Sequence, residues 1–216
     1  MKCLIMPKLP SFSSQRTSIV VLAILHFVGI AGMLSPWSDS FKMLTPINLL
    51  LSLFFIFRHY PKQAFLPSSI IVLGAWCAEF IGVHTGWPFG DYFYGETMGL
   101  AIAEIPVIIG VNWLILLAAT HHWSIKMKLK PLQGALFTAF VMTLLDVLIE
   151  PIAIELDFWT WLDVHVPIQN YLAWFVLAFI LGFALRKILG ERTNTTAGVF
   201  LFIQFIFFGI LNIFLT

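Results

Sequence analysis

Four carboxyl side chains stand inside stretches that are otherwise strongly hydrophobic: Glu79, Glu104, Asp146 and Glu150. In the hydrocarbon of a membrane an ionisable group costs roughly 2.5 kcal/mol or more unless it is paired or wetted. Each of the four therefore needs a partner or a task. Asp146 and Glu150 are spaced i, i+4 and share one face of a helix, and Asn170 and Trp174 repeat that spacing. An acid kept in an apolar pocket can hold its proton near neutrality and donate it. Aromatic faces stabilise a cation that forms beside them. Carboxylic acid, aromatic walls and a few polar groups able to hold water are the ingredients for protonating an alkene. The competing reading is a set of buried carboxyl–Asn–Trp hydrogen bonds that only ties helices together.

The elements that must position these groups follow from composition. Of 216 residues, 60% are hydrophobic and only 11% charged, against roughly 25% charged in a soluble domain. Lipid is the solvent for most of this surface, and the net charge of +1 excludes nucleic acid as an evident partner. A helix needs about 20 apolar residues to cross the hydrocarbon layer, and an open strand there would leave backbone groups unpaired. Seven stretches meet the requirement: 17–34, 43–60, 66–83, 100–120, 132–154, 167–187 and 196–215. The expected fold is an all-α integral membrane bundle of about seven spans, a single polytopic domain over residues 1–216.

Charge gives the orientation. Lys2, Lys8 and Arg16 precede the first span. Arg58 and Lys62 follow the second, Lys126, Lys128 and Lys130 the fourth, and Arg186, Lys187 and Arg192 the sixth. Eleven of the twelve lysines and arginines thus fall on one side, and only Lys42 on the other. The positive-inside rule puts the N-terminus in the cytoplasm and the C-terminus outside, in a multi-pass protein of the cell membrane. Asp39, Asp91, Glu96, Glu155, Asp157 and Asp163 lie in the outer connections, and only Glu191 on the basic side. With seven spans, Glu79, Glu104 and Glu150 sit roughly 6 Å inside the outer ends of their helices and Asp146 roughly 12 Å inside. Four consecutive helices then bring polar groups to one layer.

The connections beside that layer are rich in rings. Residues 84–95, His-Thr-Gly-Trp-Pro-Phe-Gly-Asp-Tyr-Phe-Tyr-Gly, combine glycine's backbone freedom with apolar mass, which suits a packed re-entrant loop or lid. Phe158, Trp159 and Trp161 continue the theme. Trp and Tyr also gather at membrane interfaces in general. Cys3 and Cys77 are too differently placed to suggest a disulfide. His84, His165 and Asp91 share the outer side without the clustered spacing of a metal site, so no metal is expected.

The ordered motifs resemble a known family. They are Glu79…Gly82…Gly86-Trp87-Pro88-Phe89-Gly90-x-Tyr92-x-Tyr94, Ile105-Pro106 with Asn112-Trp113, Asp146-x-x-x-Glu150-Pro151, Trp159-x-Trp161 and Pro167-x-x-Asn170-x-x-x-Trp174. Residues 74–175 are similar to the integral-membrane carotenoid hydratases that act on gamma-carotene or bisanhydrobacterioruberin. The resemblance implies cofactor-independent addition of water across the terminal 1,2 double bond of an acyclic carotenoid end, giving a tertiary 1-hydroxy group. It implies an acyclic substrate such as gamma-carotene or lycopene, with membrane lipid and other carotenoid-pathway enzymes as neighbours. Under it, Glu150 or Asp146 is the acid and the other orients water, while Glu79 and Glu104 tune the network. Trp87, Phe89, Tyr92, Tyr94, Asn112, Trp113, Trp159, Trp161, Asn170 and Trp174 contact substrate. A carotenoid end-group cyclase begins with the same protonation, and a non-catalytic carotenoid-binding protein or transporter would share the apolar pocket. Product mass separates the first two, and unchanged pigment marks the third.

Overall fold

The computed structural model describes residues 12–163 and 165–216. Lys2, Cys3 and Lys8, and with them part of the basic N-terminal segment, lie outside the described residues. The chain forms helices α1 (Phe12–Met33), α2 (Ser38–Lys42), α3 (Thr45–Phe57), α4 (Phe65–Thr85), α5 (Ile108–Lys126), α6 (Pro131–Glu155), α7 (Ile168–Leu189) and α8 (Thr195–Leu215). Four short strands lie between them: β1 (Tyr92–Tyr94), β2 (Ala101–Ile102), β3 (Ile105–Pro106) and β4 (Trp159–Trp161).

Six of these helices are long and apolar enough to cross a membrane, so the chain is a multi-pass membrane bundle. The second expected span contracts to the 13-residue α3, about 20 Å long at 1.5 Å per residue and short of the ~30 Å layer. Its ends nevertheless reach opposite ends of the bundle. A Cβ on Gly99 would come 3.0 Å from Pro46 at its start, while Asn194 donates to the carbonyl of Ile56 near its close, at 2.9 Å. A helix of this length is compatible with the alternation expected from the charge pattern.

The fourth span is corrected more sharply. Residues 100–107 are apolar apart from Glu104, yet α5 begins only at Ile108. In front of it β2 and β3 pair antiparallel, Ala101 with Pro106 and Ile102 with Ile105. The two linking residues, Ala103 and Glu104, both have positive φ, +48° and +68°, as a tight two-residue hairpin requires. Glu104 is consequently exposed on a turn rather than sunk within a helix.

Packing is tightest around α5, whose inner length from Trp113 to Thr120 is buried without interruption. It touches α3, α4, α6, α7 and α8 and forms the axis of the bundle. At the basic end, Asn194 caps α8 by accepting from the backbone of Ala197, as its residue type favours. Its own backbone N–H donates to His122 Nδ1. Two other buried histidines find partners: His26 on α1 bridges the Leu22 carbonyl and Gln204, and His59, in the turn after α3, pairs with Ser18. Cys77 is exposed on α4.

Candidate active site

The end of the bundle away from the basic connections is closed by a two-stranded lid. β1 and β4, separated by 64 residues of chain, pair antiparallel: Tyr92 opposite Trp161, Phe93 opposite Thr160, Tyr94 opposite Trp159. Side chains alternate across a strand, so Tyr92, Tyr94, Trp159 and Trp161 share the inward face while Phe93 points out and is exposed. The inward rings pack edge-on and tilted, with Tyr92 to Trp161 at 5.1 Å and Tyr94 to Trp159 at 6.2 Å between centroids. Aromatic pairs favour such offset and edge-to-face arrangements.

Each inward residue carries one polar hydrogen, and all four are aimed at carboxylates. The hydroxyls of Tyr92 and Tyr94 donate to Glu79 Oε2 at 2.5 and 2.8 Å. Trp159 and Trp161 donate their indole N–H groups to Glu150 Oε2 at 3.0 and 2.8 Å. From the bundle side, Trp113 donates to Glu79 Oε1 at 3.1 Å, and Asn170 Nδ2 lies 2.9 Å from both Glu150 Oε1 and Asp146 Oδ2. The lid is therefore latched on two acids, one on α4 and one on α6. Burial foremost, and then the Glu79 carboxyl, pushes the Tyr92 and Tyr94 hydroxyls well above the ordinary phenol range. Both remain donors across any physiological pH.

Between lid and bundle lies a cavity of about 20 Å³, room for about one water molecule. Glu79, Glu150 and Asn170 supply its polar wall, and Phe89, Ile109 and Trp174 join the lid rings as its apolar wall. No lysine or arginine among the described residues lines it. Trp174 is stacked on Trp113 at 4.3 Å, which fixes the ring that faces the cavity. The expected convergence of Glu79, Asp146, Glu150, Asn170 and Trp174 is present, with one distinction. Asp146 is fully buried behind Asn170, does not line the cavity, and its Oδ1 has no partner among the described residues.

Other expected site residues fall elsewhere. Glu104 is outside the cluster on its exposed turn. Trp87 is 67% exposed at the surface, and Asn112 lines a second cavity on the far side of Ile109 and Trp159. The decisive feature missed in the sequence is the pairing itself. Its signal was two triplets of the same form, Tyr-x-Tyr and Trp-x-Trp, whose period of two suits a strand. Among the described residues no three His, Cys, Asp or Glu side chains gather as metal ligands.

Glycine permits the close fit. α4 ends where Gly86 adopts φ +70° and donates back to the Gly82 carbonyl, a left-handed cap that lets the chain turn under the bundle. A Cβ on Gly82 would lie 2.6 Å from Phe89 and 3.1 Å from the Tyr92 hydroxyl. Gly82→Ala is expected to destabilise the protein by about 1–3 kcal/mol, as overpacking does. A lowered Tm in detergent, together with greater accessibility of Tyr92, would register it, and an unchanged Tm would refute the tight fit.

A polytopic helical bundle with an aromatic lid latched over buried acids is a membrane protein built around a small, lipid-level polar site. Residues 41–216 match the family described as carotenoid biosynthesis protein, and the chain belongs to that family. Bisanhydrobacterioruberin hydratase of Haloarcula japonica is 28% identical to it over 148 residues, covering 59% of this chain and 48% of that one. The chain thus spans about half the length of this curated relative. No solved structure matches it.

Proposed function

We propose that the protein hydrates the terminal double bond of an acyclic carotenoid end by acid catalysis, without a cofactor. The observation that carries this reading is a water-sized cavity walled on one side by Glu79 and Glu150 and on the other by aromatic rings. Two buried carboxyls with no lysine or arginine beside them among the described residues hold protons more cheaply than two bare charges, so the pair can lend one. Glu150 faces the cavity and gives its proton to C2 of the alkene. The π electrons form the new C2–H bond, leaving positive charge on the trisubstituted C1. Rings of Trp159, Trp161 and Trp174 face that charge. Water adds through oxygen to C1, and Glu79 takes the proton it releases. Return of that proton to Glu150 restores the starting state, and the sum is alkene plus water to tertiary alcohol.

Asp146 acts one step behind as a positioning residue, holding Asn170 against Glu150. Space for a water beside the acids favours hydration over cyclisation, in which an internal alkene must reach the same carbon. The Haloarcula japonica relative, named a hydratase, supports the same reading. Expression in a host that accumulates lycopene or gamma-carotene is expected to yield pigments heavier by one or two waters. Products of unchanged mass but new absorption would mean cyclisation, and unaltered pigment bound to the purified protein would mean carriage without catalysis.

A further inference from the structure

At the end of the bundle opposite the lid, Arg186 stands in the last turn of α7 and is 9% exposed. A buried guanidinium is unfavourable unless its donors are filled. This one is underserved by its own chain. Nη2 donates to Glu191 Oε1 at 2.8 Å, while Nε and Nη1 are buried with no hydrogen-bond partner among the described residues. A cation in the last turn of a helix can serve the helix's free carbonyls, yet neither nitrogen bonds one. The Glu191 side chain is 71% exposed, and ion pairs at the surface contribute little.

Room for the guanidinium is made by Gly134 on α6. A Cβ there would lie 2.7 Å from Arg186 Nη1 and 3.3 Å from Ser124 Cβ on α5, so the charge is wedged where α5, α6 and α7 meet. His121, three residues before Ser124, shares its face of α5, and its Nε2 is also buried without a partner among the described residues. Glu191 reaches Nη2 from the surface, so the guanidinium lies one side chain below it. That carboxylate shows that an oxyanion fits there, yet it fills one donor of a fork suited to two parallel bonds. Around this opening Lys126, Lys128 and Lys130 are exposed and pair with no carboxylate among the described residues. Glu191 is the one acidic residue on this side among the described residues.

The geometry points to a binding site at Arg186 for the phosphate of an anionic phospholipid, in the leaflet that the positive-inside rule makes the cytoplasmic one. Phosphate takes the bidentate edge that Glu191 half fills, and Glu191 turns out into water. Arg186 lies three residues before the end of α7, about 5 Å inside it, at the depth of headgroups rather than of free solutes. Basic pockets between transmembrane helices on that side suit such headgroups. The site goes beyond the hydration reading and does not depend on it. A lipid bound there braces the ends of α5, α6 and α7, far from the acids under the lid.

The test is lipid retention by the purified full chain in phosphatidylcholine nanodiscs doped with phosphatidylglycerol, read by native mass spectrometry, with Tm measured alongside. Phosphatidylglycerol is expected to be kept in preference to phosphatidylcholine and to raise Tm. Arg186→Gln should weaken that retention by about tenfold or more, the effect of losing hydrogen bonds to a charged group. Arg186→Lys keeps the charge without the fork and should lose most of the preference too. Glu191→Gln releases the guanidinium and should strengthen retention by about twofold to fivefold, the worth of a surface ion pair. Should the Arg186 variants fail to fold, this exposed and conservative variant still decides. Arg58→Gln removes an equal charge from another connection at the same end and should change retention little.

Equal losses in Arg58→Gln and Arg186→Gln would mean a diffuse basic surface and overturn the proposal. So would unaltered retention in Glu191→Gln. Inorganic phosphate that raised Tm as far as phosphatidylglycerol would make the ligand a soluble phosphate, and the lipid site would be wrong. A Tm that moved with neither would leave the guanidinium to buried water, and the site would fall.

Discussion

Glu150→Gln is expected to lower hydration of an acyclic carotenoid end by about 10²–10⁴-fold, the range a positioned general acid contributes. The loss should be almost entirely in turnover rather than in pigment retention, because in the proposed mechanism the carboxyl meets only the tip of the substrate. Glutamine preserves shape and one acceptor oxygen, but its amide offers no acidic proton. It also presents N–H groups where Trp159 and Trp161 already donate, so the lid should loosen somewhat. Asp146→Asn separates acid from positioning residue. Asp146 reaches the cavity only through Asn170, which contacts both carboxyls. Its amide variant should therefore lose about tenfold, the cost of one weakened hydrogen bond to a charged group, and a doubly conservative pair should lose no more than Glu150→Gln alone. Turnover measured on pigment extracts checks both. Normal product from Glu150→Gln would remove Glu150 from the acid role, and a larger loss for Asp146→Asn than for Glu150→Gln would exchange the two assignments.

How much of this was legible in the sequence depends on which physical signal each part uses. Hydrophobic length is a coarse, strong signal, and α4, α6, α7 and α8 begin and end within two residues of their expected limits. Helical spacing put Asp146 and Glu150 on one face of α6 and Asn170 with Trp174 on one face of α7, and the fold sets Asn170 against both acids. The stretch before α5 misled because apolar content does not distinguish a helix from a hairpin. Turns with two positive φ values normally declare themselves through Asn-Gly or Asp-Gly, and Ala103-Glu104 carries neither. α3 was overestimated for a related reason: apolar Met43 and Leu44 run into its start, and Arg58, His59 and Tyr60 were counted with it up to the break at Pro61. The lid was foreseen as a dense aromatic loop, yet its register was not, since pairing of Tyr92 with Trp161 is a contact between distant segments that local pattern cannot encode. Depth within the cluster was equally hidden. Asp146 and Glu150 look equivalent in sequence, and it takes the position of Asn170 to put one at the cavity wall and the other behind it.

Glu79 offers the second large effect, because in the proposed mechanism one carboxyl serves both the lid and the reaction. Three donors converge on it, from Tyr92, Tyr94 and Trp113, and it is 4% exposed. Glu79→Leu leaves all three donors buried without an acceptor, at about 1–3 kcal/mol each. Partial relief by water or lid opening brings the expected loss to about 3–5 kcal/mol, enough to unlatch β1 from the bundle. Tm in detergent should fall steeply, and Tyr92 and Trp161 should become accessible to quencher together, since they are cross-strand partners. Glu79→Gln keeps an acceptor oxygen and the side chain's length, so it should retain most of the stability while losing the base that takes the proton from water. Its turnover should then drop by about 10²-fold or more with the lid still closed. The two variants thus divide the carboxyl's duties: one opens the lid, the other leaves it shut over a site that cannot finish the reaction. If Glu79→Gln hydrated at the normal rate, the proton from water would have to leave by Glu150 itself, and Glu79 would be a latch alone. If Glu79→Leu kept its Tm, the three hydrogen bonds would not be what holds the strands against the helices. Tyr92→Phe and Tyr94→Phe give the graded version of the same test, since each removes one donor from Glu79 Oε2 and leaves the ring stack in place.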